Sequence, residues 1–420
     1  MTAIESLMTA MGDKALAAAR VLGTIGPDAR TRALLAAADA LAARSGLILE
    51  ANAVDVARAR ERGLEPAMID RLSLGDQSVP AMATAIADVA ALPDPVGRAL
   101  ARWTRPNGLD IARVSTPIGV IAIIYESRPN VTADAAALCL RSGNAAILRC
   151  GSDCLTTSLA IHAAFVEGLA SAGLPADAVQ LVPTPDRAAV GALLRGLDGA
   201  VQLLVPRGGK SLVARVQAEA RAPVLGHLEG VCHTYLHADA DLDMAVTVAV
   251  NGKMRRVSIC SATETLLVDA GAADRLLPPV AAALSAAGCT LRGDPAARAI
   301  VPGVEAADEA DWGAEYLAPI LAVRIVEGLS GAIDHIRKYG SGHTETIVTE
   351  NDRAAEAFLD AVDSAVVMWN ASTQFSDGGE FGFGAEIGIS TSRLHARGPV
   401  GAEQLTSYKY VVRGGGQTRG

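Results

Sequence analysis

Short apolar strands alternate with helices through the middle of this chain, and this alternation constrains the fold more than any other feature. The predicted strands lie at 118–124, 145–148, 179–182, 201–205 and 224–226. Helical periodicity predicts helices between them, at 132–142, 154–172, 186–195 and 209–220. Half of the residues are hydrophobic and only 3% are aromatic, so the core must consist of Ala, Val, Leu and Ile. We therefore predict an α/β fold with helices packed on a doubly wound, mostly parallel sheet.

A second series of helices and strands begins near residue 237 and predicts a separate domain. Its predicted helices are 241–253, 272–286 and 329–338, and its predicted strands are 264–268, 319–326, 343–349 and 365–370. Residues 1–95 are Ala-rich and helical in pattern. Asn107-Gly108 between strand-like runs at 100–104 and 109–114 predicts a hairpin, and 404–413 alternates like a further strand.

Composition excludes several classes of protein. A length of 420 residues predicts two or three domains. The net charge of −9, without any block rich in Lys and Arg, argues against a nucleic-acid partner. No apolar run approaches the roughly 18 to 20 residues needed to cross a bilayer, and residues 1–14 lack the pattern of a secretory signal. We expect a cytoplasmic protein without a membrane partner.

The six cysteines are sparse, and their spacing fits neither a disulfide framework nor a zinc site. The seven histidines include one His-x3-His spacing, His233 and His237, and no Cys-x2-Cys pair accompanies it. We therefore expect a reducing compartment and no structural metal. Packing roles are predicted for Cys139, Cys150, Cys154, Cys232 and Cys289.

Cys260 differs from these five because it lies in a short polar segment between a predicted helix and a predicted strand. Arg255 and Arg256 lie just before it. A thiol attacks only as its thiolate, and neighbouring positive charge favours that form. The same arginines could hold an anionic substrate beside the sulfur. The segment alone leaves a second interpretation open, that of a buried and inert cysteine.

A turn rich in glycine follows the predicted strand 201–205 and opens the next helix. It reads Pro206-Arg-Gly-Gly-Lys-Ser211, but Leu204 occupies the position where a Walker motif needs Gly, which argues against an ATP-dependent kinase. Backbone N–H groups at such a helix start can still bind a cofactor phosphate. An ordinary strand-to-helix turn is the alternative.

Six blocks of sequence carry a resemblance to a known family. They are GVIAIIYESRPNVT (119–132), RSGNAAILR (141–149), EGVCHTY (229–235), GSGHTETI (340–347), WNASTQFSDG (369–378) and FGFGAEIGI (381–389). In this order, and over nearly the whole chain, they resemble the aldehyde dehydrogenase superfamily and, within it, the gamma-glutamyl phosphate reductase family.

The resemblance implies an oxidoreductase with an aldehyde-dehydrogenase-like fold. Its substrate would be L-glutamyl 5-phosphate, reduced with NADPH to L-glutamate 5-semialdehyde as the second step of proline biosynthesis. Phosphate would leave as a thioacyl forms on Cys260. An NADP(H)-binding domain is expected at 1–99 and 118–236 and a catalytic domain at 237–390. The hairpin 100–117 and the tail 391–420 would join subunits of a homo-oligomer, although each could instead be an edge ribbon on its own domain.

The resemblance also implies roles for individual residues. Cys260 would be the nucleophile, and Asn130 would donate to the oxyanion, although Asn is also an ordinary turn residue after Pro129. The expected cofactor-binding residues are Arg149, Gly208, Gly209, Lys210, Ser211 and Glu315. Glu315 could equally be a solvated surface residue. The expected substrate-binding residues are Arg128, Arg255, Arg256, Ser258, Ser372 and Thr373. Ser152 replaces an acid that would favour a free ribose hydroxyl, so Arg149 favours NADPH over NADH.

One departure from the superfamily bears on the direction of the reaction. His227 stands where hydrolysing aldehyde dehydrogenases have a Glu base, which favours a reductase. His227 could be a proton donor, or a histidine with no chemical role. The alternatives are a hydrolysing or CoA-acylating member of the superfamily, or an inactive homologue that acts as a scaffold. Transient contact with glutamate 5-kinase, which would supply the labile acyl phosphate, is a further hypothesis.

Overall fold

The computed structural model describes residues 2–419 of the chain. Its helices are α1 (Ala3–Leu22), α2 (Pro27–Ala43), α3 (Ser45–Glu61), α4 (Pro66–Leu72), α5 (Ser78–Ala91), α6 (Val131–Arg141), α7 (Leu155–Ser171), α8 (Arg187–Leu194), α9 (Lys210–Glu219), α10 (Leu242–Met254), α11 (Ala273–Ala286), α12 (Pro295–Ile300), α13 (Gly328–Tyr339) and α14 (Asp352–Ala361). Short 3-10 helices occur at Ala176–Ala178, Leu197–Gly199, Ala270–Ala272, Asp311–Gly313, Thr373–Phe375 and Glu403–Leu405.

The strands are β1 (Ala99–Thr104), β2 (Asp110–Pro117), β3 (Val120–Tyr125), β4 (Ala145–Arg149), β5 (Val179–Leu181), β6 (Leu203–Arg207), β7 (Cys232–Leu236), β8 (Thr263–Asp269), β9 (Thr290–Gly293), β10 (Glu305–Ala306), β11 (Ile320–Val326), β12 (Thr344–Val348), β13 (Val366–Trp369), β14 (Ile389–Ser390), β15 (Gly398–Pro399) and β16 (Thr406–Arg413). Among residues 2–419, no helix combines the length and apolar character that crossing a membrane requires.

The chain divides into two compact units. The first comprises the described residues up to Gly226, Gly382–Gly388, and the described residues from Val400 onwards. The second comprises His227–Phe381 and Ile389–Pro399. The first boundary therefore follows Gly226, whereas the sequence placed it after 236.

The first unit contains a parallel sheet in the order β5-β4-β3-β6. Strand β3 is a continuous apolar run and is buried along its whole length, as expected for a strand covered on both faces. The predicted strand 224–226 is only a single bridge between Leu204 and Val224. Pro223 precedes Val224 and has no amide to extend the pairing.

The predicted hairpin is confirmed and belongs to a second sheet of the first unit. Strands β1 and β2 pair antiparallel, and β16 pairs antiparallel with β2 from Thr406 opposite Pro117 to Arg413 opposite Asp110. Gly108 has φ +85°, which a tight Asn-Gly turn requires and other residues rarely adopt. A third strand stabilises a hairpin that would be marginal alone. The role of this sheet in joining subunits stays a prediction.

The second unit is built on a parallel sheet of seven strands in the order β10-β9-β11-β8-β7-β12-β13. Buried Leu, Val and Ala side chains of α10, α11 and the central strands form its main core. The strand β7 was not assigned from the sequence, and it lies between β8 and β12. Because these three strands are parallel neighbours, the segments that enter them meet at one edge of the sheet.

Candidate active site

Three segments of the second unit converge at the amino ends of β8, β7 and β12. The turn 255–262 leads into β8 and carries Cys260, the segment 227–231 leads into β7, and 341–343 leads into β12. Val231 N–H donates to Ser341 Oγ at 2.9 Å, which ties the second segment to the third. Strand order therefore brings together residues that are distant in the sequence.

Cys260 is half-buried, whereas the other five cysteines of the chain are buried. Its carbonyl oxygen accepts a hydrogen bond from the Cys232 thiol at 3.2 Å. Gln374 Nε2 lies 2.9 Å from the Gly252 carbonyl and 3.4 Å from the Arg256 carbonyl, and so links the turn to the end of α10. These hydrogen bonds hold the backbone of the turn, while the half-buried sulfur remains accessible to a substrate.

Gly230 allows the closest backbone approach in the site. A Cβ on this residue would lie 2.0 Å from the Cys260 carbonyl oxygen and 2.9 Å from its Cα. Real Cβ atoms essentially never come within 3.0 Å of another heavy atom. Any side chain at Gly230 would therefore displace the turn that carries the sulfur.

Two histidines flank the sulfur of Cys260. One ring nitrogen of His227, one ring nitrogen of His343 and the sulfur all lie within 4.8 Å of one another. The two rings meet edge to face with their centroids 4.8 Å apart. His227 Nδ1 lies 2.7 Å from the Ile389 carbonyl and must donate to it, since a carbonyl only accepts. We predicted no role for His343, although it lies in one of the six family blocks.

His343 is fully buried and held at one ring nitrogen. Its Nδ1 lies 2.9 Å from Thr344 Oγ1 and 3.5 Å from Cys232 Sγ. Its Nε2 has no hydrogen-bond partner within the described part of the chain. A buried imidazole nitrogen without a partner is costly, and such groups often have a chemical role.

A buried ion pair anchors the two ends of the Cys260 turn. Lys253, at the end of α10, contacts Glu264, at the start of β8, and both side chains are almost fully buried. The second carboxylate oxygen of Glu264 accepts the Leu317 amide at 3.3 Å. Burial raises the pKa of Glu264 to about 7, and the Lys253 cation opposes that rise. The pair also positions the 315–317 segment.

Glu315 lies on that segment and contacts the same glycine as the Cys260 turn. Its Oε1 accepts the Gly230 amide at 3.0 Å, and the residue is half-buried. Glu315 is therefore not a fully solvated surface residue. The expected role toward the nicotinamide ribose stays a prediction.

The substrate-binding residues predicted in the second unit differ in exposure. Arg255 and Arg256 are exposed on the Cys260 turn, and Ser258 on the same turn is half-buried. Ser372 and Thr373 are buried. The Ser372 hydroxyl accepts a hydrogen bond from the backbone N–H of Gln374 at 3.3 Å, and the Thr373 hydroxyl lies 3.0 Å from Thr263 Oγ1. These two hydroxyls have internal partners.

In the first unit, the predicted oxyanion donor Asn130 is exposed at the start of α6. Its Nδ2 donates to Asp134 Oδ2 at 3.0 Å, so the carboxylate orients the amide. Burial raises the pKa of Asp134 to about 6. Arg128 is half-buried on the loop that connects β3 to this helix.

The predicted phosphate turn begins where β6 ends, and Gly209 caps α9, which begins with Lys210 and Ser211. The Gly209 N–H donates to Glu126 Oε2 at 3.2 Å. A Cβ on Gly208 would lie 2.5 Å from the same carboxylate oxygen. Glu126, which the sequence did not single out, therefore closes over the turn.

Arg149 lies at the end of β4 and is buried. Its Nη2 donates to the Pro185 carbonyl at 3.0 Å, while its Nε is buried without a hydrogen-bond partner in the described chain. Asp153, the acid nearest to Ser152, accepts a hydrogen bond from Ser127. A buried guanidinium nitrogen without a partner fits a phosphorylated cofactor.

Comparison with known proteins shows the family of the chain. Residues 3–300 match the model of the aldehyde dehydrogenase family. The gamma-glutamyl phosphate reductase of Caulobacter vibrioides is 64% identical over 412 residues, which cover 98% of this chain and 100% of that protein. The crystal structure of the enzyme of that name from Thermotoga maritima superposes with a TM-score of 0.95 at 44% identity, covering 98% of this chain and 100% of that one.

The chain belongs to the gamma-glutamyl phosphate reductase family. It is thus an oxidoreductase of the aldehyde dehydrogenase family, whose members use a nicotinamide cofactor. An acetylating aldehyde dehydrogenase from Geobacillus thermoglucosidasius shares the fold, with a TM-score of 0.70 at 18% identity. The predicted family and fold class are confirmed.

Proposed function

We propose that the chain reduces L-glutamyl 5-phosphate to L-glutamate 5-semialdehyde with NADPH and releases phosphate, in the cytoplasm, as a step of proline biosynthesis. The observation that carries this proposal is the state of Cys260. It is the half-buried cysteine of the chain and lies on a backbone held by Gly230, Gln374 and the Lys253–Glu264 pair. A nucleophile needs this combination of a reachable sulfur and a fixed position.

The first chemical step is formation of a thioester on Cys260. His343, whose ring lies within 4.8 Å of the sulfur, takes the thiol proton as the sulfur attacks the acyl carbon. The carbon–oxygen bond to phosphate breaks, and phosphate leaves with the electron pair. Asn130, oriented by Asp134, donates to the developing oxyanion.

The second step converts the thioacyl to an aldehyde. NADPH, when bound, supplies a hydride to the acyl carbon. The chain's part is to stabilise the resulting oxyanion and to return the proton from His343 to the sulfur as the carbon–sulfur bond breaks. Arg128, Arg255 and Arg256 are assigned to the phosphate and carboxylate of the substrate, because a doubly anionic substrate needs cations near the sulfur.

His227 supports reduction over hydrolysis. It stands where the resemblance places a hydrolytic Glu base, and its Nδ1 is committed to the Ile389 carbonyl. A thioester protected from water survives until hydride arrives. The group at this position is therefore an imidazole whose Nδ1 donates to a backbone carbonyl.

Cofactor residues of the first unit are assigned from the sequence resemblance together with their own surroundings. Gly208, Gly209, Lys210 and Ser211 bind the pyrophosphate at the start of α9, and this requires Glu126 to release the Gly209 amide. Arg149 binds the 2′-phosphate, and Glu315 in the second unit binds the nicotinamide ribose. Self-association through the β1-β2-β16 sheet and transient contact with glutamate 5-kinase belong to the same proposal.

The deciding experiment is the reverse reaction. Purified protein with glutamate 5-semialdehyde and NADP⁺ should produce NADPH only when phosphate is present. Cys260→Ala should abolish this production and leave NADPH binding unchanged in a fluorescence titration. Cys289→Ala, at a buried cysteine of the second unit, is the matched control and should stay active. Turnover without phosphate, or turnover by Cys260→Ala, would refute the proposal.

A further inference from the structure

The geometry points to an inhibitory metal site at the nucleophile, built from Cys260 Sγ and the imidazoles of His227 and His343. The ion that fits is Zn²⁺ or a divalent ion of similar preference. Only the predicted loss of turnover rests on the proposed function. The binding itself depends on the three side chains alone.

The donor atoms lie close to a binding arrangement. Zn²⁺ binds a thiolate at about 2.3 Å and an imidazole at about 2.0–2.1 Å, so its tetrahedral ligands lie roughly 3.3–3.7 Å apart. Here the sulfur and the two ring nitrogens already lie within 4.8 Å of one another. The remaining difference is about 1 Å. Rotation of the half-buried Cys260 side chain, with a small pivot of the His227 ring about its hydrogen bond to Ile389, closes it while the buried His343 stays in place.

In each histidine, the hydrogen bond at Nδ1 assigns Nε2 as the nitrogen that carries the lone pair. His343 is fully buried, is held at Nδ1 by Thr344, and has an Nε2 without a hydrogen-bond partner among residues 2–419. His227 donates its Nδ1 proton to the Ile389 carbonyl, so its lone pair is on Nε2. A ring N–H fixed by a carbonyl or hydroxyl is the usual support for a metal-binding histidine.

The donor set selects the type of ion. One thiolate and two imidazoles favour Zn²⁺, Co²⁺ or Cu²⁺ over Mg²⁺ and Ca²⁺, which prefer oxygen. Three protein ligands leave a fourth position for water. Binding releases the thiol proton to solvent and occupies the sulfur lone pair that attacks the acyl carbon. The ion therefore blocks the first step, and a chelator restores activity.

The test uses Co²⁺ as a spectroscopic probe of the full-length chain. A titration should give a thiolate-to-cobalt charge-transfer band that saturates at one ion per chain, and Zn²⁺ should displace it. Cys260→Ser should remove the band. His343→Gln and His227→Gln should each weaken Co²⁺ binding at least about tenfold, as loss of a ligand requires. Circular dichroism checks the fold, and the half-buried His227 serves if the buried His343 variant does not fold.

Matched controls separate this site from other thiols. Cys289→Ser should keep the band, and so should Cys232→Ser, whose thiol donates to the Cys260 carbonyl. A band that persists in Cys260→Ser, or unchanged affinity in His227→Gln, would overturn the inference.

In the reverse assay, Zn²⁺ should inhibit the wild-type protein and a chelator should restore its activity. Phosphate-dependent turnover that is insensitive to Zn²⁺ would refute the metal site and support the proposed function. Co²⁺ binding at these residues by a chain without turnover would support the metal site and refute the proposed function.

Discussion

Replacing Gly230 by Ala tests whether catalysis depends on the packing of two backbone segments. The added Cβ would lie 2.0 Å from the Cys260 carbonyl oxygen, and 3.0 Å is the practical minimum for such a contact. Neither atom is the end of a flexible side chain, so the two segments must separate by about 1 Å. A nucleophile misplaced by about 1 Å loses on the order of 100-fold in rate, or about 2.7 kcal/mol of transition-state stabilisation.

The assay measures kcat of the reverse reaction together with thermal unfolding. We expect Gly230→Ala to lower kcat about 100-fold, and overpacking to cost about 1–3 kcal/mol of folding free energy. Gly313→Ala is the matched control, since a Cβ there meets no atom within 4 Å and the residue lies in the same unit. Full activity and an unchanged melting temperature in Gly230→Ala would refute the argument from contact distance.

Three further predictions concern charged groups. Lys253→Met should cost about 3 kcal/mol of unfolding free energy by leaving Glu264 buried without its cation, and Lys253→Met with Glu264→Leu should recover most of it; strictly additive losses in urea titrations would contradict this. Burial raises the pKa of Asp134 from 3.8 to about 6. The protonated carboxyl therefore contributes stability below pH 3.8, and this contribution is lost as the pH rises through about 6. Asp134→Asn should therefore stabilise the protein more at about pH 8 than at about pH 4, and an equal difference in urea unfolding at both would refute this. Arg149→Ala should raise the KM for NADPH about tenfold with little change for NADH, as steady-state kinetics would show, because one phosphate contact is lost; equal effects on both would remove its assigned role.

Local patterns predicted the elements of this fold well, because period and turn chemistry act over a few residues. The Asn107-Gly108 hairpin is confirmed, and Cys260 lies in a turn between α10 and β8 as expected. Local patterns could not predict strand order. The position of β7 between β8 and β12 brings His343 to the sulfur, and nothing near His343 in the sequence indicates it.

The sequence also could not predict contacts between individual atoms of distant segments. Glu126 closes over the Gly208–Gly209 turn because β3 and β6 are parallel neighbours, so that the loops following both strands lie at the same edge. The pattern of small residues at the start of α9 predicts a phosphate site, but it does not show that a carboxylate already accepts one of the amides. The sequence signal for Gly230 is its place in the EGVCHTY block, but that block does not show that Gly230 contacts the backbone of Cys260.

The Cys260 site separates what must be rigid from what must move. Gly230 and the Lys253–Glu264 pair fix the backbone of the turn from two sides, and neither contact involves the sulfur. The sulfur keeps the freedom of a half-buried side chain, and the His227 ring can pivot about its hydrogen bond to the Ile389 carbonyl. A fixed backbone lowers the entropy cost of attack, and a rotatable sulfur can leave the acyl carbon after hydride transfer. The same freedom lets the sulfur and the His227 ring close around a zinc ion held against the buried His343, so sensitivity to zinc follows from the arrangement that permits turnover.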